Sequence, residues 1–258
     1  MKLTFLGTGS AFCPKGNYQS NMLLEAPSGR RLLIDAGGDV RWPLEDRGLA
    51  ARDINDIYIS HLHADHIGGL EYFGFATFFA HRPRPILHLS GQLVAPLWEN
   101  SLKGGMGSVE GQIARLGTFF EVRPVPPNGG FSFEGIDFTL VRVVHVMDGF
   151  DAMPSYGLLF TINGLRVFLT TDTQFTHQNK AFYRMADVVF HDCETSPCQT
   201  GVHSHFTELL TLPDDQRAKM WLYHYNAGPL PDARAAGFRG FIRPGQVFDF
   251  DDPATFEP

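Results

Sequence analysis

The segment of residues 60–66 constrains this chain more than any other part of its sequence. It reads Ser-His-Leu-His-Ala-Asp-His and follows the apolar run Asp56–Ile59, which predicts a short β-strand. Side chains alternate along an extended segment, so His61 and His63 point the same way, and the turn that follows brings the last two residues of the segment to a second point. Three imidazoles and a carboxylate at this spacing indicate metal coordination, because these are groups that bind divalent cations. One short segment can therefore supply two metal ions.

This segment, followed by Ile-Gly-Gly-Leu, resembles the signature motif of the metallo-β-lactamase superfamily, whose members use their fold as a di-metal hydrolase scaffold. The partners that the family pattern requires follow in order. His145 closes the apolar run 138–144, Asp172 follows Leu169-Thr-Thr, and His224 ends Met220-Trp-Leu-Tyr. All seven candidate ligands lie at predicted strand ends, where a layered sheet protein presents its loops. The resemblance extends from residue 3 to about residue 226.

The resemblance implies a division of the ligands between two divalent metal ions. The first ion is expected on His61, His63 and His145, and the second on Asp65, His66 and His224, with Asp172 bridging them. A hydroxide shared between the two ions is the implied nucleophile, because metal binding lowers the pKa of water towards neutrality. Nitrogen and oxygen ligands suit zinc and also admit manganese or iron.

Asp35, which precedes Ala-Gly-Gly, occupies a place where family members support the metal loop from beneath. The resemblance implies that its carboxylate orients a ligand imidazole. A turn-capping aspartate before glycines is the alternative interpretation.

Three further segments resemble the tRNase Z and phosphodiesterase branch of the superfamily: Met153-Pro-Ser-Tyr-Gly, Thr171-Asp-Thr and His191-Asp-Cys-Glu-Thr. That branch carries a His-Glu-Ala-Thr motif and a later His-Ser-Thr motif, which together deliver a proton to the leaving oxygen. Asp192 takes the place of the glutamate, and residues 203–208 lie where the second motif is expected.

We predict that His205 is the general acid and that Asp192 orients it, because an imidazole beside a carboxylate stays protonated near neutral pH. His203 is the alternative proton donor. A helix-capping role for this polar cluster is a third interpretation. Asp65, His205 and Asp192 are thus the predicted catalytic residues, of which Asp65 is also a predicted metal ligand.

A tRNA substrate is not expected. In tRNase Z a long arm that grips tRNA lies between the Tyr-Gly element and the bridging aspartate, whereas residues 157–171 here predict only two strands and a tight turn at Asn163-Gly164. The net charge of −7 gives no general attraction to nucleic acids either.

Composition and strand pattern predict one α/β domain over residues 1–258, with the four-layer αββα metallo-β-lactamase sandwich as its fold. Hydrophobic residues make up 43% of the chain, which is ample for a large core, and three cysteines do not form a disulfide framework. Because no window approaches the roughly 20 apolar residues of a membrane span, we expect a cytoplasmic protein with no membrane partner. The aromatic stretch 72–79 makes a homodimer an expectation.

The favoured function is that of a metal-dependent phosphodiesterase acting on a small phosphodiester, either a cyclic nucleotide or a nucleic-acid end. Phosphoryl transfer depends mostly on positioning and charge neutralisation, which such a site supplies. One alternative is a lactonase or thioesterase of the glyoxalase II type, in which Tyr223 or Tyr156 assists the carbonyl of a small ester. A non-catalytic metal-binding sensor is another. A redox di-iron protein is disfavoured, because such proteins typically place Glu where His63 stands.

Overall fold

Short apolar runs form the strands of the computed structural model, which describes residues 1–126 and 128–258. The first half of the chain contributes β1 (Lys2–Phe5), β2 (Met22–Glu25), β3 (Arg31–Ile34), β4 (Asp56–Ile59), β5 (Ile86–Ser90), β6 (Ser108–Val109), β7 (Gln112–Ile113) and β8 (Glu121–Val125). The second half contributes β9 (Gly130–Phe133), β10 (Ile136–Val143), β11 (Ser155–Ile162), β12 (Leu165–Leu169), β13 (Val188–Asp192), β14 (Met220–Tyr223), β15 (Gly240–Phe241) and β16 (Val247–Asp249). β6 and β7 form a small hairpin, and the other strands form two seven-stranded sheets.

The two sheets have the same number of strands and a similar arrangement of parallel and antiparallel neighbours. The first has the strand order β16-β1-β2-β3-β4-β5-β8, and the second has the order β15-β14-β13-β12-β11-β10-β9. In the first sheet β3, β4, β5 and β8 run parallel, and in the second β12, β13, β14 and β15 do so. The remaining neighbours are antiparallel. Functional loops in sheets of this kind follow the carboxyl ends of parallel strands, and four of the predicted ligands follow β4.

Most helices are short and lie between strands. They are α1 (Arg41–Glu45), α2 (Ala64–Ile67), α3 (Leu70–Phe79), α4 (Gly91–Pro96), α5 (Lys103–Met106), α6 (Leu116–Phe119), α7 (Asn179–Met185), α8 (Phe206–Leu209) and α9 (Asp214–Arg217). Pro96 lacks an amide hydrogen, and the chain widens after it into a π-helical turn over Leu97–Leu102 before α5 begins. Within the described part of the chain, no helix has both the length and the apolar character needed to cross a bilayer.

Aromatic side chains join the two sheets. The ring of Phe5 in β1 lies 5.1 Å from that of Phe190 in β13 and 5.3 Å from that of Tyr223 in β14. Such pairs contribute about 0.5–1.5 kcal/mol beyond their burial. The hydroxyl of Tyr58 in β4 also donates a 2.8 Å hydrogen bond to the carbonyl of Tyr156 in β11. These contacts fix the end of β4 relative to the strand ends of the second sheet.

The aromatic stretch in α3 is partly core. Phe73 is fully buried, and the rings of Phe75 and Phe78 lie 5.3 Å and 5.5 Å from that of Phe119. Phe79 is 63% exposed. Core packing therefore accounts for much of this stretch, and the homodimer stays a prediction.

Candidate metal centre and active site

The seven residues predicted to bind metal lie together at one edge of the sandwich. They come from the segment after β4 and its helix α2 (His61, His63, Asp65 and His66), and from the ends of β10 (His145), β12 (Asp172) and β14 (His224). β11 is antiparallel to both β10 and β12, so the carboxyl ends of β10 and β12 emerge on the same side. Ligands far apart in sequence meet for this reason.

The ligand atoms form two groups that share Asp172, and within each group all atoms lie within 4.8 Å of one another. The first group is His61, His63, His145 and Asp172, and the second is Asp65, His66, Asp172 and His224. These are the two sets that the family resemblance implied.

In the first group, Asp172 Oδ2 lies 3.7 Å from His145 Nε2 and 3.8 Å from His61 Nε2. His145 Nε2 lies 3.1 Å from His63 Nδ1. Two of these nitrogens, His145 Nε2 and His61 Nε2, therefore face the same carboxylate oxygen, as the ligands of one cation do.

In the second group, Asp172 Oδ2 lies 3.1 Å from His66 Nε2 and 3.2 Å from His224 Nε2. Asp65 Oδ2 lies 3.4 Å from His66 Nε2. Among the described residues, Asp172 is thus the carboxylate that belongs to both groups.

Two buried atoms of this centre, His61 Nε2 and Asp172 Oδ1, have no hydrogen-bond partner among the described residues. Buried polar atoms are normally satisfied, so an unpaired imidazole nitrogen facing a carboxylate oxygen fits a group that binds a cation. The residues present therefore fit a divalent metal site built from nitrogen and oxygen donors.

Asp35 supports the centre as expected. Its carboxylate accepts hydrogen bonds of 2.8 Å from the amide of Ser60, from the hydroxyl of Ser60 and from Nδ1 of His66. The same Ser60 hydroxyl accepts a 3.0 Å bond from Nδ1 of His61. Each imidazole is thereby held with Nε2 directed towards the centre.

Two more ligands are held in the same way by groups that sequence reasoning missed. His224 Nδ1 donates to the Ser20 hydroxyl at 3.0 Å, and Ser20 in turn donates to the Gly9 carbonyl. His145 Nδ1 donates to the carbonyl of Val202 at 2.7 Å. A serine beside a strand and a loop carbonyl match no motif, so nothing in the sequence marked them.

The backbone is left-handed at three positions around the centre. Asp35, Thr171 and His224 have φ values of 59°, 53° and 62°. Such conformations cost residues with a Cβ about 1–3 kcal/mol each and persist where the surrounding structure enforces them. Part of the backbone strain of the chain is therefore stored where the ligands are placed.

The charge states of the imidazoles differ between the groups. Burial lowers the pKa of His145 to about 4 and holds the pKa of His61 well below its usual value, so both rings are neutral and able to bind a cation. Burial also lowers the pKa of His66, but the charges of Asp172, Asp65 and Asp35 outweigh it and raise that pKa well above its usual value. The second group thus holds a proton that a cation must displace.

The predicted pairing of His205 with Asp192 is wrong. Asp192 Oδ2 lies 2.9 Å from Nδ1 of His203, the alternative donor. The ring of His205 instead caps α8, where its Nδ1 accepts from the amide of Thr207, and its Nε2 donates to the carbonyl of Ser196 at 3.0 Å. His205 therefore has a capping role, as the third interpretation proposed. The signal was present in the sequence, since His203 and not His205 matches the first residue of the His-Ser-Thr motif.

His203 lies beside the metal ligands. Its Nδ1 is 3.9 Å from Asp172 Oδ2, and its ring centroid is 4.9 Å from those of His145 and His224. Burial lowers its pKa, but the charge and hydrogen bond of Asp192 outweigh this effect and raise the pKa to about 9. A protonated imidazole thus stands next to both ligand groups.

Two mixed sheets and this His/Asp centre define a metal-dependent hydrolase of the metallo-β-lactamase fold. The model of the family "Anti-Pycsar protein Apyc1" matches residues 1–248, and the chain belongs to this family. An Apyc1 protein of Paenibacillus harenae is 37% identical over 231 residues, covering 87% of this chain and 90% of the relative. One from Bacillus phage vB_BveM-Goe7 is 36% identical, covering 87% and 88%.

A solved structure supports the fold independently. The metallo-β-lactamase fold protein YhfI from Bacillus subtilis superposes with a TM-score of 0.74 at 17% identity, covering 96% of this chain and 98% of that one. The predicted fold is confirmed, and so is the resemblance to the superfamily.

Proposed function

We propose that the protein is a phosphodiesterase that uses two divalent metal ions, zinc by preference, to hydrolyse a small phosphodiester such as a cyclic nucleotide. The observation that carries this proposal is the Asp192–His203 pair beside the two ligand groups. The leaving group of a phosphodiester departs as an alkoxide and needs a proton, which a protonated imidazole supplies.

The residues of the chain have distinct roles in this reaction. Divalent cations held by the two ligand groups would supply an activated water and counter-charge for the phosphoryl oxygens. The carboxylate of Asp172 belongs to both ligand groups and therefore links the two metal sites. Asp192 engages Nδ1 of His203, which leaves Nε2 as the ring nitrogen that donates to the leaving oxygen.

The tyrosines of the lactonase alternative are poorly placed for catalysis. The Tyr156 hydroxyl donates to Gln92 at 2.7 Å, and Tyr223 is buried against Phe5 in the core. Neither side chain is available to a carbonyl that enters from solvent, which favours the phosphodiesterase.

The short connection between β11 and β12, where tRNase Z has its tRNA-gripping arm, favours a small substrate. β11 and β12 are joined by a two-residue turn at Asn163 and Gly164, with φ values of 51° and 81°. This region is fully described and holds only these strands between residues 157 and 169, which favours a small substrate over tRNA. Relatives at 36–37% identity are named anti-Pycsar proteins, and we propose the same role for this chain.

The test is metal analysis of the purified protein followed by assays on 2′,3′- and 3′,5′-cyclic nucleotides, a nitrophenyl phosphodiester and a lactone. Two metal equivalents and preferential cleavage of a cyclic nucleotide are expected. Faster turnover of the lactone would overturn the phosphodiesterase assignment. Full metal loading without turnover of any substrate would indicate the sensor alternative.

A further inference from the structure

We propose that Glu194 is a positioning residue. Its buried carboxylate closes the loop formed by residues 195–202, and this loop places both the metal ligand His145 and the proton donor His203. The part that concerns His203 rests on the proposed function, whereas the part that concerns His145 depends only on the metal site.

The carboxylate of Glu194 binds the loop at two points. The Glu194 side chain is buried and accepts hydrogen bonds from the Ser196 hydroxyl at 2.6 Å, the Thr200 amide at 3.0 Å and the Thr200 hydroxyl at 3.1 Å. Burying a carboxylate is costly unless its oxygens are hydrogen-bonded. Because the donors all belong to this loop, the loop conformation and the burial of Glu194 depend on each other.

The backbone of Glu194 joins the two ends of the same loop. Its amide donates to the Ser204 carbonyl at 2.9 Å, and its carbonyl accepts from the Phe206 amide at 2.9 Å. The amide of Thr195 donates to the Asn226 side chain at 2.9 Å, and the Asn226 amide returns a bond to the Thr195 hydroxyl. The loop is therefore also tied to the segment that follows β14.

The end of the loop is the part that reaches the metal centre. Thr200 is followed by Gly201, whose φ of 77° turns the chain, and then by Val202, whose carbonyl accepts the Nδ1 proton of His145. His203 is the next residue. A shift of Thr200 would therefore reach Val202, which orients His145, after two residues and His203 after three. Displacements of about 0.5 Å already impair such sites.

His205 provides a second attachment. Its Nε2 donates to the Ser196 carbonyl, so Ser196 is held through its hydroxyl by Glu194 and through its carbonyl by His205. His205, which was predicted to be the proton donor, thus stabilises the loop that precedes His203.

The experiment compares wild type with Glu194→Gln and Asp56→Asn. Glu194→Gln keeps the side-chain shape but replaces one acceptor oxygen by an amide that repels the loop donors. Asp56 is the matched control, because it is an equally buried carboxylate, bound to Arg30 and His88, at the opposite end of β4. The readouts are metal affinity by chelator competition, thermal unfolding, and kcat and KM on phosphodiesters with good and poor leaving groups.

Glu194→Gln should weaken metal affinity roughly tenfold, as loss of an orienting partner does. It should also lower kcat more for a poor leaving group than for a good one. Asp56→Asn should lower the unfolding temperature with metal affinity unchanged. The proposal is overturned if Glu194→Gln only lowers the unfolding temperature, as the control does.

Milder variants keep the test decisive if Glu194→Gln does not fold. Ser196→Ala and Thr200→Val each remove one donor and should change metal affinity in the same direction by a smaller factor. With Glu194→Gln folded, its effect should not add to that of Thr200→Val, because the two share one hydrogen bond. Wild type inactive on every phosphodiester would defeat the proposed function, while the metal affinities would still decide the role of Glu194.

Discussion

Nδ1 of His203 lies 2.9 Å from Oδ2 of Asp192, and the two side chains form a largely buried ion pair beside the metal ligands. Burial opposes protonation of the ring, but the charge and hydrogen bond of Asp192, with smaller contributions from Asp172 and Glu194, outweigh it and raise the pKa of His203 to about 9. A raised pKa contributes stability that is fully present below the unfolded value of about 6.5 and is lost as the pH rises through about 9. This pair therefore makes the metal-free fold sensitive to alkaline pH.

We expect Asp192→Asn to remove the larger part of that sensitivity. Between pH 6 and pH 9.5, the free energy of unfolding of the metal-free wild type should fall by on the order of 1–3 kcal/mol more than that of the variant. Urea denaturation of chelator-treated protein at both pH values measures the difference. His203→Asn, which lacks the titrating ring, should behave like Asp192→Asn, and identical slopes for all three proteins would contradict the prediction.

Binding of metal to the second group should release a proton at neutral pH. The carboxylates around His66 raise its pKa well above the ordinary value despite burial, whereas burial, aided by neighbouring imidazoles, lowers the pKa values of His61 and His145 and keeps both rings neutral. Calorimetry in buffers of different ionisation enthalpy should show about one proton released for the second metal and none for the first. In His66→Gln the proton release and the second metal should both disappear.

Asp172→Ala should lose one or both metals, because Asp172 is the only residue that belongs to both ligand groups. Elemental analysis of the purified variant measures the loss, with Asp56→Asn as a control that keeps its metal. A variant with full metal content and activity would refute the bridging role.

Asp35→Asn should lower metal affinity roughly 10- to 100-fold without removing any ligand. The asparagine presents an amide in place of one acceptor oxygen. Either the Ser60 amide loses its acceptor at Oδ1, or His66 Nδ1 and the Ser60 hydroxyl both lose theirs at Oδ2. Competition with a chromophoric chelator measures the affinity. An unchanged value would mean that the imidazole is oriented by packing alone.

Gly37→Ala should displace the metal-binding segment after β4 by a steric clash. A Cβ on Gly37 would lie 2.2 Å from the backbone carbonyl of Asp65, so the segment that carries Asp65 and His66 must move. We expect lower metal affinity and a lower unfolding temperature. Gly104→Ala is the matched control, since its Cβ would meet nothing within 4 Å in α5 and should be neutral or stabilising by about 0.5–1 kcal/mol.

The positions of the segments that carry the candidate ligands were predictable because each segment follows an apolar run. A run such as Met220–Tyr223 predicts a buried strand, and the loops of a layered fold gather at strand ends. His224 could therefore be placed near His61 without knowledge of any contact between them.

The spacing of the histidines did not decide between His203 and His205, although the His-Ser order of the motif favoured His203. Two imidazoles two residues apart satisfy the same argument in an extended segment. Two features of the structure distinguish their roles. His205 is the N-cap of α8, and His203 contacts Asp192. Ser20 was missed for a similar reason, because its bond to His224 joins residues 204 positions apart and a lone serine carries no periodic signal.

The centre draws four ligands from the first sheet's loops and three from the second's. Neither half of the chain supplies all the ligands of either site. Tight binding of the two metal ions therefore requires that the two halves have already packed together in the native arrangement. Metal binding would then depend on correct folding, so that misfolded chains would bind no metal and would have no activity.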